Sequence, residues 1–157
     1  MAQRFESKEG LLRAYFEWFG VVVTEDAQAI IAEESSSAAR LKQLLTLPID
    51  PRLFDADTFE QQASWTLISL ELRREPALEP IIAEQVGLYS EFLTGVVREG
   101  QEKGEFAPGN PEDIAELALA AGTGAAMQWL FNQREPLLVK MERCIDLAIR
   151  PYLNRPE

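Results

Sequence analysis

Apolar residues recur at three- and four-residue intervals along almost the whole chain, and no stretch combines strict alternation with enough β-branched residues to make a strand. The pattern predicts an all-α fold, an antiparallel bundle of about six helices. The first helix is expected to start after Ser7, a natural N-cap, with Glu9 in the first turn where the helix dipole favours a negative charge. Leu11, Leu12, Tyr15, Phe16, Phe19, Val22, Val23, Ile30 and Ile31 trace one broad apolar stripe, so this helix is expected to run over 8–34, across Gly20. At the standard rise that is roughly 40 Å, the span of a small domain.

Polar punctuation sets the remaining boundaries. Ser35-Ser36-Ser37 breaks the first helix and caps a short second one ending near Leu45, before Pro48 and Pro51 impose a loop. A third helix is expected over about 57–74, with Trp65, Ile68 and Leu72 on its apolar face, stopped by Glu75-Pro76. A fourth, about 78–103, carries Ile81, Ile82, Val86, Tyr89, Phe92, Leu93, Val96 and Val97 and closes at Gly104, placed for a left-handed C-cap. Asn110 followed by Pro111 is an N-cap with proline at the first helical position, opening a fifth helix over about 111–132. The last is expected from near Pro136 to about Leu153.

Glycine inside a helix costs up to ~1 kcal/mol relative to alanine. The stretch LALAAGTGAAMQWLF, residues 117–131, nevertheless holds Gly122 and Gly124. Close approach by another helix is the usual compensation, either within one chain or between two copies related by a twofold axis. The pairing of two copies is the sharper expectation. Leucine at Gly122 or Ala125 should then separate them.

Composition narrows the function classes. At 157 residues one domain is expected, large enough to bury roughly 70% of its unfolded surface without disulfides or metals. Lys plus Arg is 15 against Asp plus Glu 26, a net charge of -11, which repels a polyanion unless basic residues gather on one face. They do not gather in the sequence, so DNA is not an expected partner of this chain alone. Histidine is absent, which removes Ser-His-Asp and Cys-His nucleophile systems and the carboxylate-histidine metal sites of helical bundles. The carboxylate pairs Glu33-Glu34 and Asp55-Asp57 read as solvated surface, and no Gly-rich phosphate loop is present. No metal, cofactor or enzymatic activity is expected. The single cysteine, Cys144, reads as a buried small hydrophobe. With no internal bridge, no signal peptide and no apolar run of membrane-spanning length, the cytoplasm is the default compartment, with no membrane partner.

The order of these parts resembles a known family. FESKEGLLRAYFEWF, residues 5–19, is similar to the junction of tetracycline-repressor-like (TetR family) transcriptional regulators. There a phenylalanine ending the helix-turn-helix precedes a Ser-Lys-Glu-Glu-Leu start to a long connecting helix. Residues 71–131 resemble the family's effector-binding half, through Arg74, Pro76 and Leu78 and then Glu99, Gly100, Gly104, Glu105 and Phe106. Two departures stand out. The chain offers only Met1 to Arg4 where the family has its DNA-reading helices, and Gly10 replaces the second glutamate, removing the reciprocal capping-box bond.

The resemblance implies a single ligand-binding and dimerisation domain over 1–157, with 8–34 as the connecting helix. It implies a cavity among the first four helices, lined by Trp65, Ile68, Tyr89, Phe92 and Val96 and closed at one end by Trp18 and Phe19, suited to a small apolar or aromatic effector. The same aromatic stripe also reads as plain core packing. It implies a four-helix homodimer interface from 111–153, with Leu117, Ala121, Gly122, Gly124, Ala125, Trp129, Met141 and Ile145 in it. Lys8 inherits a DNA-backbone contact only where a helix-turn-helix is supplied from elsewhere, and is otherwise an ordinary exposed lysine. Phe5 and Phe16, partly covered in the family by the DNA-reading unit, are expected to lie exposed or to meet a substitute partner. The implied mechanism is a population shift, in which the ligand favours one arrangement of the connecting helix. The alternatives are a stand-alone ligand-binding or dimer-poisoning interaction protein and, least favoured, an enzyme on a helical scaffold.

Overall fold

The computed structural model describes residues 7–33, 35–49 and 74–154. Among them the fold is an all-α helical bundle without a strand, built from α1 (Lys8–Ala32), α2 (Ser37–Thr46), α3 (Glu79–Glu102), α4 (Pro111–Phe131) and α5 (Leu137–Ile149). Short 3-10 turns cover Leu47–Ile49, Pro76–Leu78 and Arg150–Tyr152. Residues 57–73 of the helix expected over about 57–74, with Trp65 and Ile68, lie outside the described residues, as does Phe5. So do the side chains of Lys8, Phe16, Trp18 and Phe19.

The caps set the helix starts as side-chain chemistry requires. Ser7 Oγ accepts from the Gly10 amide at 3.0 Å, Ser36 Oγ from Ala39 at 3.1 Å, and Asn110 Oδ1 from Glu112 at 3.1 Å. α3 ends where Gly104 enters the left-handed region at φ 76°, which turns the chain so that the Glu105 amide donates to the Gly100 carbonyl at 2.7 Å. α5 stops at Ile149, short of the expected Leu153. Pro151 has no N–H to continue the ladder, so the chain tightens into the 3-10 turn Arg150–Tyr152.

One core joins α2, α3, α4 and α5 to the C-terminal end of α1, where Ala27 and Ile30 are buried. The N-terminal end of α1 packs elsewhere: Leu12, with Ile81 and Ile82, packs against Leu78 in a small satellite cluster. α1 therefore spans two packed regions. Midway it passes close to α3 at Gly20, where a Cβ would come within 2.5 Å of Gln85 Oε1. A second tie closes the opposite end of the bundle. Ala107 N–H donates to Tyr152 O at 2.7 Å, and Asn154 donates from its main-chain N–H to Glu105 O at 2.9 Å and from Nδ2 to Gly104 O at 2.8 Å.

One expectation from the sequence needs correction. α4 is by length and composition apolar enough to cross a membrane. Its place in the bundle accounts for part of that character, since Ile114, Ala118, Gly122, Ala125 and Trp129 are buried against its neighbours.

Candidate functional site

α3 carries two faces of different use. On one, Val96 is 1% exposed within the core, and Tyr89 and Phe92 are half-buried against it. The Tyr89 hydroxyl donates to the Leu44 carbonyl at 2.5 Å, and burial pushes the phenol well above its ordinary pKa. The expected pocket residues Tyr89, Phe92 and Val96 do come together, but they knit α3 to α2 and the core. The Tyr89 phenol is committed to a main-chain carbonyl. Trp65 and Ile68, and the side chains of Trp18 and Phe19, are outside the described residues.

The other face of α3 borders an open cleft of about 730 Å³ between α3 and α4. Leu93 and Ala115, both core residues, form its floor. Val86 and Leu119 supply apolar walls with Ser90 and Thr94, while Glu91, Arg98, Glu112 and Glu116 bring charge to it. The sequence reading missed this cleft. Its signal was present: Ser90, Thr94 and Arg98 follow Val86 at four-residue steps, a largely polar row along a helix otherwise read as apolar.

The residues expected to pair two copies divide. Gly122, Ala125, Trp129, Met141 and Ile145 are buried inside one chain, and a Cβ on Gly122 would lie 3.4 Å from Ile145 Cδ1 and 3.6 Å from Met141 Cε. They belong to the α4–α5 contact, so leucine at Gly122 or Ala125 disturbs the fold itself. Trp129 is further held by its indole N–H donating to Glu135 O at 2.8 Å. Leu117 and Gly124 are exposed, and Ala121 is half-buried. Cys144, expected buried, is half-buried beside the core.

A polar cluster pins the ends of α1, α2 and α3 together. Arg40, 2% exposed, donates to Ile31 O at 2.9 Å, Glu99 Oε2 at 2.9 Å and Ser37 Oγ at 3.2 Å. Glu105 Oε2 accepts from the Ser37 amide at 2.6 Å. Hydrogen bonds from Arg40 and then Lys103 hold the Glu99 carboxyl down at about 2. These bonds engage both terminal nitrogens of a buried guanidinium, whose Nε has no partner among the described residues, and join α1, α2 and α3. Among the described residues there is no grouping of three or more metal-ligating side chains. Compared with known proteins, the chain matches no family model, no curated protein and no solved structure.

Proposed function

We propose that this chain is the sensing and pairing half of a TetR-like regulator: a cytoplasmic, non-enzymatic domain that takes a small apolar or aromatic effector between its helices and associates with a second copy through α4. The observation that carries the reading is the outer face of α4. After Glu116 the helix has no charged residue through Phe131. Leu117, Ala120, Gly124 and Phe131 on it are exposed, Phe131 at 86%. An uncharged apolar face of this kind marks an interaction surface, and Ala120 and Gly124 let another backbone approach closely. Pairing the face with itself across a twofold axis removes it from water and closes the assembly.

The effector half of the reading is supported by the order of the sequence motifs and by the course of α1, which reaches from the satellite cluster at Leu78 to the main core. A rod held at both ends is suited to report a change in the packing between them. A ligand moves it only by binding two arrangements with different affinity. A stand-alone interaction protein that pairs with related chains is the second reading, favoured by the same exposed face.

Analytical ultracentrifugation tests the pairing. The wild-type chain should sediment at twice its chain mass, and Leu117→Glu combined with Phe131→Glu should sediment as a monomer with unchanged helical circular dichroism. A monomeric wild type at tens of micromolar, or a charged variant that still pairs, defeats the proposal.

A further inference from the structure

We propose that the cleft between α3 and α4 binds an organic cation with an apolar body, at a site separate from the effector cavity and the pairing face proposed above. The floor of the cleft is preformed, because Leu93 and Ala115 are 1% and 3% exposed and are fixed by the core beneath them. Val86 and Leu119 extend the apolar surface up two opposing helices, so a flat or globular hydrocarbon body has contact on more than one side. A volume of about 730 Å³ falls inside the range of roughly 300–1,000 Å³ common to small-molecule sites.

Charge decides the ligand class. Glu91 from α3 and Glu112 and Glu116 from α4 face one cation, Arg98. Among the described residues none of these four side chains is engaged in an ion pair, so their field is not cancelled locally. The N-terminus of α4 adds the equivalent of about half a positive charge, too little to reverse the balance of three carboxylates against one guanidinium. The chain's net charge of -11 acts in the same direction at longer range. The carboxylates do not form a cluster fit for a metal ion. A delocalised charge carried on an apolar frame matches both the floor and the rim.

Isothermal titration calorimetry with tetraphenylphosphonium and tetraphenylborate separates the electrostatic and apolar contributions, since the two ions share size and shape and differ in sign. The phosphonium should bind and the borate should bind at least about tenfold more weakly in low salt. Glu112→Gln combined with Glu116→Gln should weaken phosphonium binding about fivefold, as partly exposed carboxylates do, and Arg98→Gln should strengthen it. Ser90→Trp, which places an indole in the cleft from an exposed position, should abolish binding while the thermal melt shows the variant folded. The proposal is overturned by the absence of phosphonium binding up to millimolar concentration, by equal binding of the borate, or by binding that survives Ser90→Trp. The last result would place the ion elsewhere in the bundle. None of these outcomes depends on whether the chain pairs through α4.

Discussion

The ring of Phe106 occupies the space that a side chain on Gly100 would need: a Cβ there would come within 2.5 Å of Phe106 Cδ2 and 2.8 Å of Ser37 Cβ. Phe106 is 1% exposed and Ser37 is fully buried, so neither neighbour can swing into solvent. This contact lets the loop after α3 fold back over its own last turn while α2 packs from the other side.

Gly100→Ala should therefore destabilise the chain although alanine is the better helix former. Overpacking costs about 1–3 kcal/mol, against a helix gain of up to about 1 kcal/mol, leaving a net loss of up to about 2–3 kcal/mol in urea denaturation. Gly95→Ala is the matched control, since a Cβ at Gly95 meets nothing within 4 Å. It should gain up to about 1 kcal/mol. Two glycines five residues apart on one helix should thus respond with opposite sign.

The Arg40–Glu99 pair gives a signature in pH. Glu99 is lowered from its ordinary 4.5 to about 2, mainly by the hydrogen bond from Arg40 and then by that from Lys103. A depressed carboxyl pKa contributes stability that is fully present above the unfolded value and lost as pH falls through the folded one. The stability difference between wild type and Glu99→Gln should accordingly be largest above pH 4.5 and shrink as pH approaches 2. A difference that stays constant across that window in thermal melts would show that the pair does not hold the carboxylate as described.

Gly122 and Gly124 separate the fold from the proposed pairing. Gly122 faces Ile145 and Met141, whereas a Cβ on Gly124 meets nothing within 4 Å. Gly122→Leu should cost about 1–3 kcal/mol by overpacking the α4–α5 contact. Gly124→Leu should raise the stability of the separated chain by up to about 1 kcal/mol through helix propensity and block association in the ultracentrifuge. Loss of pairing in neither variant would place the α4 face outside any interface.

The same two residues show how much the sequence could say. Ser7, Ser36, Asn110 and Gly104 mark helix ends through local chemistry, and the structure puts their caps where the sequence pattern does. The end of α5 falls short of the sequence pattern because the apolar stripe continues past Ile149 to Leu153, while the proline between them ends the ladder. Faces are harder to read than ends. Gly122 and Gly124 lie about 200° apart around the helix, and in sequence both are simply small. Which one meets a neighbour depends on where α5 packs, a tertiary fact with no local signal. Tyr89 illustrates the same limit, because helical spacing places its ring on an inward face but cannot reveal that its hydroxyl reaches Leu44 of α2. The cleft beside Val86 is likewise set by the spacing of α3 and α4.

Tyr89 supplies the last prediction. Its hydroxyl donates to Leu44 O at 2.5 Å, and that carbonyl also accepts from the Leu47 amide at the end of α2. Tyr89→Phe removes one of two donors and leaves no orphaned acceptor, so the loss should be about 1 kcal/mol, near the net worth of a single neutral hydrogen bond. The effect should also depend on pH. Burial raises the phenol pKa above its ordinary 10.0, so the folded state favours the protonated form, and the stabilisation present below pH 10 is lost as pH rises past that value. Wild type should therefore lose stability on going above pH 10 in a way that Tyr89→Phe does not share, the two urea midpoints converging as alkalinity increases. Parallel midpoints through that range would mean that the phenol ionises in the folded chain as readily as in the unfolded one, and that its bond to α2 does not hold the two helices together.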